Sequence, residues 1–437
     1  MRQRLDRIRM AKYLQLLFHT ALFWGTVWVI RLVNPQHGFF YFTQYFILYC
    51  ALTLGAYACR GFDMTLSRNF HQSIISVFTG ALAGCLIAIP VIILFYNPKI
   101  SKLEIFILFG ISFMGLSLFR SAALAFIYRT GPINQVFVIG HRKKWEPLID
   151  ELARNLGGRL EIKAFVNPTA PYEQDQNPSV PCSVLVADPE IYATPEIKQW
   201  ADQALSNGCV LEYMPKFSED ILDRIPLVVA SAFRNYYHMV FRMIYPNPVQ
   251  RVMDLLVAVP GLFIAVLMSL VIIPAILIDS GFPVFYRQTR IGLGGQVFTM
   301  HKYRTMKNRE DVRAAFADQD IDLITPVGVI LRKFRLDEIP QLWDVLRGKM
   351  SIVGPRPEQP EFAAEYEEQI PFYPYRHRLR PGITGWAQIK YRYTAGIEDT
   401  KKKLEYDLYY LKNRDALLDI QIILKTAETM LGMRGAK

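Results

Sequence analysis

Four long apolar runs crowd into the first 130 or so residues, at positions 13–30, 38–59, 74–95 and 103–128. A helix needs about 20 such residues to cross a hydrocarbon layer of about 30 Å, so the runs predict four transmembrane helices. The fourth carries Arg120, and its membrane part is expected to end near Phe119. With 51% hydrophobic and only 20% charged residues overall, a wholly soluble protein, a disordered chain and a small disulfide scaffold are all excluded. The opening MRQRLDRIRMAK is basic but no small-residue cleavage site follows, which predicts a retained anchor rather than a cleaved leader.

Basic residues set the expected orientation. The N-terminus, the second loop (Arg60, Arg68) and the segment after the fourth run (Arg129, Arg142, Lys143, Lys144) are basic, against Arg31, Lys99 and Lys102 opposite. Both ends of the bundle are therefore expected in the cytoplasm. Few charges fall inside the runs, which favours an anchor over a transporter. The net charge of +11 suits anionic headgroups or phosphorylated substrates. Of the five cysteines, Cys50, Cys59 and Cys85 lie in apolar runs, while Cys182 and Cys209 flank strand-like segments. They show no metal spacing and no disulfide framework, and read as ordinary core residues.

From about Gln135 the pattern changes to short strands (135–140, 160–166, 183–187, 209–214) alternating with helices (146–155, 195–207), the mark of a small parallel α/β domain. A dinucleotide turn needs the G-x-G-x-x-G spacing. Here the first strand is followed by Gly140-His141-Arg142-Lys143-Lys144, one glycine and then basic side chains. A structural or regulatory domain is expected, not a cofactor site.

A fifth apolar run at 251–278 begins with Arg251 and Asp254, three apart and able to pair on a helix face, and is interrupted by Pro260 and Pro274. A full crossing would carry the following phosphate-handling block outside. A re-entrant hairpin bent near Val259-Pro260 is expected instead, its backbone break covered or interfacial. The block after it gathers Arg287, Arg290, Lys302 and Arg304 around a glycine turn (Gly292, Gly294, Gly295). Then Arg332, Lys333 and Arg335 precede Asp337-Glu338, and Arg356 sits in a Gly-Pro-Arg-Pro turn. Cations converging on two carboxylates are what phosphoryl transfer requires. Adjacent helical acids project about 100° apart and cannot share one contact, which predicts one nucleophile and one Mg²⁺ ligand. Pro340 suits a first helical turn, so both acids are expected near a helix N-terminus.

From about Tyr236 onward these residues resemble the bacterial sugar transferase family, the polyprenyl-phosphate hexose-1-phosphate transferases. The resemblance rests on Arg251, Asp254 and Pro260, on Lys302–Met306 (KYRTM), on LDEIPQL at 336–342, on SIVGPRP at 351–357, on RPGITGWAQ at 380–388 and on Asp407-Leu-Tyr-Tyr. It implies transfer of hexose-1-phosphate from a UDP-hexose to undecaprenyl phosphate, releasing UMP, as the first step of exopolysaccharide, capsule or O-antigen repeat-unit synthesis. It implies Asp337 as the nucleophile of an aspartyl-phosphosugar intermediate, Glu338 as the Mg²⁺-associated acid, Arg332 and Arg356 as phosphate ligands, and Pro260 as the breaker of the re-entrant helix. Lys302, Arg304 and Arg287 are further candidates for phosphate contact. The expected architecture is a four-helix transmembrane domain (1–130), a small Rossmann-like α/β domain (131–225) and an α-rich monotopic catalytic domain (226–437) on the cytoplasmic face of the bacterial inner membrane. Membrane lipids are expected partners, a homodimer is allowed, and no nucleic acid is implied. Asn413-Arg414-Asp415 departs from the family's usual Asn-Trp-Ser-type ending. A membrane-bound nucleotide-sugar dehydratase is disfavoured because it needs a glycine-rich NAD turn; a non-catalytic assembly scaffold would tolerate loss of Asp337.

Overall fold

The computed structural model describes residues 2–33, 39–58, 62, 70–95, 100–130, 134–156, 160–168, 182–245, 247–307, 324–391 and 396–430. Cys59, Arg60, Arg68 and Lys99, used above, lie outside them. The chain divides into two units, Met1–Arg234 and Asn235–Lys437.

The first unit opens with four helices, α1 (Arg2–Val33), α2 (Phe39–Ala58), α3 (Phe70–Phe95) and α4 (Lys102–Thr130). Phe23, Tyr45, Leu48, Leu52, Ala88 and Leu108 form their shared core. Helices α2 and α3 meet backbone to backbone: a Cβ on Gly80 would lie 2.7 Å from Ala56 Cα, and one on Gly84 2.7 Å from Leu52 Cα. Small residues at such a crossing are how apolar helices gain contact where lipid offers no hydrophobic drive. By length and composition, Met10–Val33 and Lys102–Ala123 can each cross a membrane, as can Pro248–Ser280 in the second unit. The bundle also buries polar groups that the sequence reading passed over, among them Gln15, His19 and Glu104, together with the Arg120 it did note. Tyr45 donates to Glu104 at 2.9 Å.

The rest of this unit holds β1 (Asn134–Ile139), α5 (Arg142–Asn155), β2 (Leu160–Val166), β3 (Cys182–Val186), α6 (Pro189–Tyr192), α7 (Pro195–Ser206), β4 (Val210–Tyr213), α8 (Met214–Leu222) and α9 (Leu227–Ala232). The strands form a parallel sheet in the order β2-β1-β3-β4. Gly140 has φ +157, and a Cβ there would come within 2.7 Å of Trp145 Cδ1. The buried indole accounts for the glycine without any phosphate. One expectation is corrected. Cys182 and Cys209 are joined in a disulfide, because the adjacent parallel strands β3 and β4 bring their Cα atoms to 4.8 Å.

The second unit contains α10 (Arg234–Arg242) from its second residue on, α11 (Pro248–Ser280), the antiparallel hairpin β5 (Phe285–Ile291) and β6 (Val297–Tyr303), α12 (Pro326–Lys333), α13 (Gln341–Leu346), β7 (Ser351–Val353), α14 (Pro360–Gln369), β8 (Gly382–Thr384), α15 (Trp386–Lys390), α16 (Ile397–Asn413) and α17 (Ala416–Met430). Asn247 caps α11, accepting from Val249 N at 2.9 Å with Pro248 at the first helical position, and Gly281 at φ +71 ends it. The expected interruption at Val259-Pro260 is absent, since the helix continues through both prolines. Arg251 and Asp254 lie close enough to interact through charge, but each makes its hydrogen bonds elsewhere. Arg251 donates to the Val345 and Leu346 carbonyls at 2.7 Å, closing the C-terminus of α13. Asp254 accepts from Ser351 Oγ and Ile352 N at 2.8 Å. Farther along, Ser269 meets the Tyr303 hydroxyl at 2.6 Å, and Ile272 and Ile276 pack with Tyr303 and Leu331. Helix α11 is therefore fastened to one unit near its start, its middle and its end.

Candidate active site

Strand β6 delivers Lys302, and the chain then turns through Thr305. Helix α12 lies so close to that turn that a Cβ on Gly328 would sit 2.9 Å from the Thr305 carbonyl carbon. Thr325 caps the helix by accepting from Gly328 N at 3.0 Å, and Arg332 Nε donates to Thr305 Oγ1 at 3.0 Å. The helix stops at Phe334, after which Arg335 adopts φ +53, an uncommon backbone for a residue with a side chain. That reversal places Asp337 and Glu338 on a single 3-10 turn, Leu336–Glu338, with Pro340 capping α13 behind them. The acids precede the helix, close to the predicted position.

Glu338 is buried and ringed by cations. Lys302 Nζ lies 3.0 Å and an Arg356 Nη 3.3 Å from its Oε1, and an Arg335 Nη lies 3.8 Å from its Oε2. Burial pushes its carboxyl up, but Arg356 and Lys302 outweigh it and hold the pKa at about 2. Asp337 moves the other way. Burial raises it, the neighbouring Glu338 charge adds to that, and Lys302 and Arg332 oppose. Burial lowers Lys302, with Glu338 pulling back toward the charged form. Two adjacent carboxyls with affinities driven apart suit two tasks: a permanently charged acid and a more basic, more nucleophilic one.

Arg356 is placed by a second motif. Strands β7 and β8 run parallel with Ser351 opposite Gly382 and Val353 opposite Thr384. Side chains on Gly354, Gly382 or Gly385 would collide with the facing backbone. Beyond this pair Arg376, which sequence reasoning missed, acts as a hub. It donates to Tyr373 Oη at 2.8 Å, to the Arg356 carbonyl at 2.9 Å and to Asp407 Oδ2 at 3.0 Å, with Glu358 at 3.8 Å. Burial raises Asp407 to about 6 against the pull of Arg376. Arg290 grips the same loop, donating to the Pro357 carbonyl at 3.1 Å. A signal for Arg376 was present in its place four residues before the RPGITG stretch, but its partner Asp407 lies 31 residues on.

The structure thus brings together Lys302, Arg332, Arg356, Asp337 and Glu338. It does not bring Arg304 to the acids. That guanidinium donates to the carbonyls of Ser280, Gly281 and Phe282, closing the end of α11. Arg287 is exposed on β5 opposite His301, and Arg251, Asp254 and Pro260 belong to α11. Among the described residues no group of three or more His, Cys, Asp or Glu could hold a metal ion. Mg²⁺ commonly takes one or two carboxylates and completes its shell with water and substrate phosphate. Asp337 and Glu338 are two carboxylates of that kind, and the described residues form no closed protein cage.

The family model described as bacterial sugar transferase matches residues 245–433. Over 200 residues the chain is 44% identical to a UDP-N-acetylgalactosamine-undecaprenyl-phosphate N-acetylgalactosaminephosphotransferase of Aeromonas hydrophila, covering 44% of this chain and 47% of that one. It is 38% identical over 193 residues to the UDP-glucose:undecaprenyl-phosphate glucose-1-phosphate transferase of Escherichia coli (strain K12), covering 42% of each. It is 37% identical over 186 residues to the uncharacterized sugar transferase EpsL of Bacillus subtilis (strain 168), covering 43% of this chain and 89% of that protein. The chain thus spans less than half the length of the first two and nearly all of the third.

Proposed function

The chain belongs to the bacterial sugar transferase family, and on that premise we propose that it moves hexose-1-phosphate from a UDP-hexose to undecaprenyl phosphate. The observation that carries the reading is the placement of Asp337 beside Glu338 on one 3-10 turn, with Lys302 and Arg356 at 3.0 and 3.3 Å from the Glu338 carboxylate. In the first step the Asp337 carboxylate attacks the sugar-bearing phosphorus. The bond from that phosphorus to the bridging oxygen breaks, UMP leaves with the bridging oxygen, and an aspartyl-phosphosugar remains. In the second step a phosphate oxygen of undecaprenyl phosphate attacks the same phosphorus and releases Asp337, giving the lipid diphosphosugar that begins a polysaccharide repeat unit. Lys302, Arg332 and Arg356 offset the charge that gathers on the transferring group. Glu338, with the donor's diphosphate, would hold Mg²⁺, which supplies further charge neutralisation when bound.

Four transmembrane helices and a monotopic α11 on the cytoplasmic side of the inner membrane complete this reading. The fastening of α11 to the catalytic unit near both its ends supports it, because a helix that crossed would carry its far end to the opposite side. The test is UMP release by the purified protein in nanodiscs with Mg²⁺, undecaprenyl phosphate and a panel of UDP-glucose, UDP-galactose and UDP-N-acetylgalactosamine. Release with one donor, lost in Asp337→Asn, is expected. Equal release by the variant would move the nucleophile elsewhere, and silence across the panel from folded protein would overturn the donor class.

A further inference from the structure

Helix α10, RNYYHMVFR, has two unlike faces. One is fixed to the catalytic unit: Tyr237 and Phe241 are buried, Phe241 lies 5.2 Å from the Tyr375 ring and 6.3 Å from Phe372, and His238 Nδ1 meets Tyr375 Oη at 2.5 Å. Arg378 donates to the Arg242 carbonyl at 2.8 Å, closing the helix end. These contacts set which side faces outward. On that side Met239 is 54% and Met243 67% exposed, and Tyr245, just beyond the helix, is 73% exposed.

Exposed apolar residues resume in sequence soon after Tyr245. Three residues later α11 begins, and Val249, Val252 and Leu256 in its first turns are exposed apolar residues as well. Cations rim the outward side of α10. Arg242 is exposed on α10, and Lys412 lies over the Tyr236 ring at 5.1 Å while donating to its hydroxyl at 3.0 Å. Apolar residues flanked by tyrosines and basic side chains, leading into a long apolar helix, match the chemistry of the zone between acyl chains and anionic headgroups.

We propose that α10 is an interfacial helix that lies in the plane of the bilayer, with Met239, Met243 and Tyr245 in the upper acyl region and Arg242 and Lys412 among anionic headgroups. It rests on the reading of α11 as a membrane helix, and it assigns α10 the task of fixing how deep the catalytic unit sits.

The full chain is reconstituted in nanodiscs of phosphatidylethanolamine and phosphatidylglycerol, with a nitroxide placed in turn at Met239→Cys, Met243→Cys, Leu267→Cys on α11 and Lys198→Cys on α7, and the signal of the labelled parent subtracted. Relaxation by lipid-soluble oxygen and by a water-soluble nickel chelate is compared. The expected result is oxygen preference at Met239 and Met243 as at Leu267, nickel preference at Lys198, and a weaker oxygen preference at Met239 when phosphatidylcholine replaces phosphatidylglycerol. Nickel preference at Met239 and Met243 with oxygen preference at Leu267 would sink this proposal and leave α11 in the membrane. Nickel preference at Leu267 would remove the membrane reading of α11 and this inference with it. Shielding of Met239 from both agents, with spin-spin broadening between copies, would assign the face to a second copy of the chain and overturn the proposal.

Discussion

Burial raises the Asp337 carboxyl and the Glu338 charge raises it further, so protonation reaches it before it reaches Glu338, which is held at about 2. Only the ionised Asp337 can attack phosphorus, so activity is present above its raised pKa and falls as pH drops through it. The initial rate of UMP release against pH should therefore show an acid limb above the ordinary aspartate value of 3.8. Asp337→Asn should lower UMP release by at least about 10³-fold while the protein stays folded, as loss of a covalent nucleophile does. Arg376→Lys should lower kcat by about tenfold or more at a permissive temperature and lower the melting temperature too, because buried acceptors lose a donor. A lysine is a point charge and cannot serve Tyr373, Asp407 and the Arg356 carbonyl together. Unchanged kcat in that variant would show that the Arg356 loop holds its place unaided. At this scale the sequence was informative about which residues carry charge and silent about where each charge turns. Arg356 and Arg304 stand in equally suggestive motifs, yet one reaches Glu338 and the other the carbonyls ending α11. An arginine's five donors suit a phosphate or a row of carbonyls alike, and only the fold decides.

Arg304 makes that difference measurable at the level of the element. It satisfies orphan carbonyls at the end of α11, so Arg304→Lys should destabilise the unit by about 1–3 kcal/mol in thermal unfolding and leave kcat/KM at a permissive temperature close to the parent's. A loss of kcat/KM without loss of stability would return Arg304 to the substrate. Gly328→Ala should act in the reverse sense. A methyl there cannot fit beside Thr305, so α12 must shift and take Arg332 with it, and kcat/KM should fall more than Tm. The strands of the α/β domain were legible to within a residue or two because buried parallel strands are short apolar runs bounded by turns. The Cys182–Cys209 bond was not, since it depends on β3 and β4 being neighbours, a fact of strand order that no local pattern carries. The prolines of α11 misled in the same way. Each removes one hydrogen bond, yet tertiary contacts on either side keep the helix continuous.

Over the whole molecule the long apolar runs located helices α1 to α4, and the two-unit division separates them from every residue of the candidate site. EpsL matches along 89% of its own length yet only 43% of this chain, so the matched unit exists elsewhere with little added to it. Residues 235–437 expressed alone should accordingly keep UMP release within about tenfold of the full chain when reconstituted in lipid. Failure of a folded 235–437 fragment would assign the first unit a part in the chemistry. Inside that fragment Gly354, Gly382 and Gly385 leave one another no room for a side chain. What each faces is backbone, so no side-chain substitution across the gap can make room for a larger residue. The SIVGPRP and RPGITG stretches are thus held to glycine at these three positions by each other's backbone, and a methyl at any one of them would push the two strands apart.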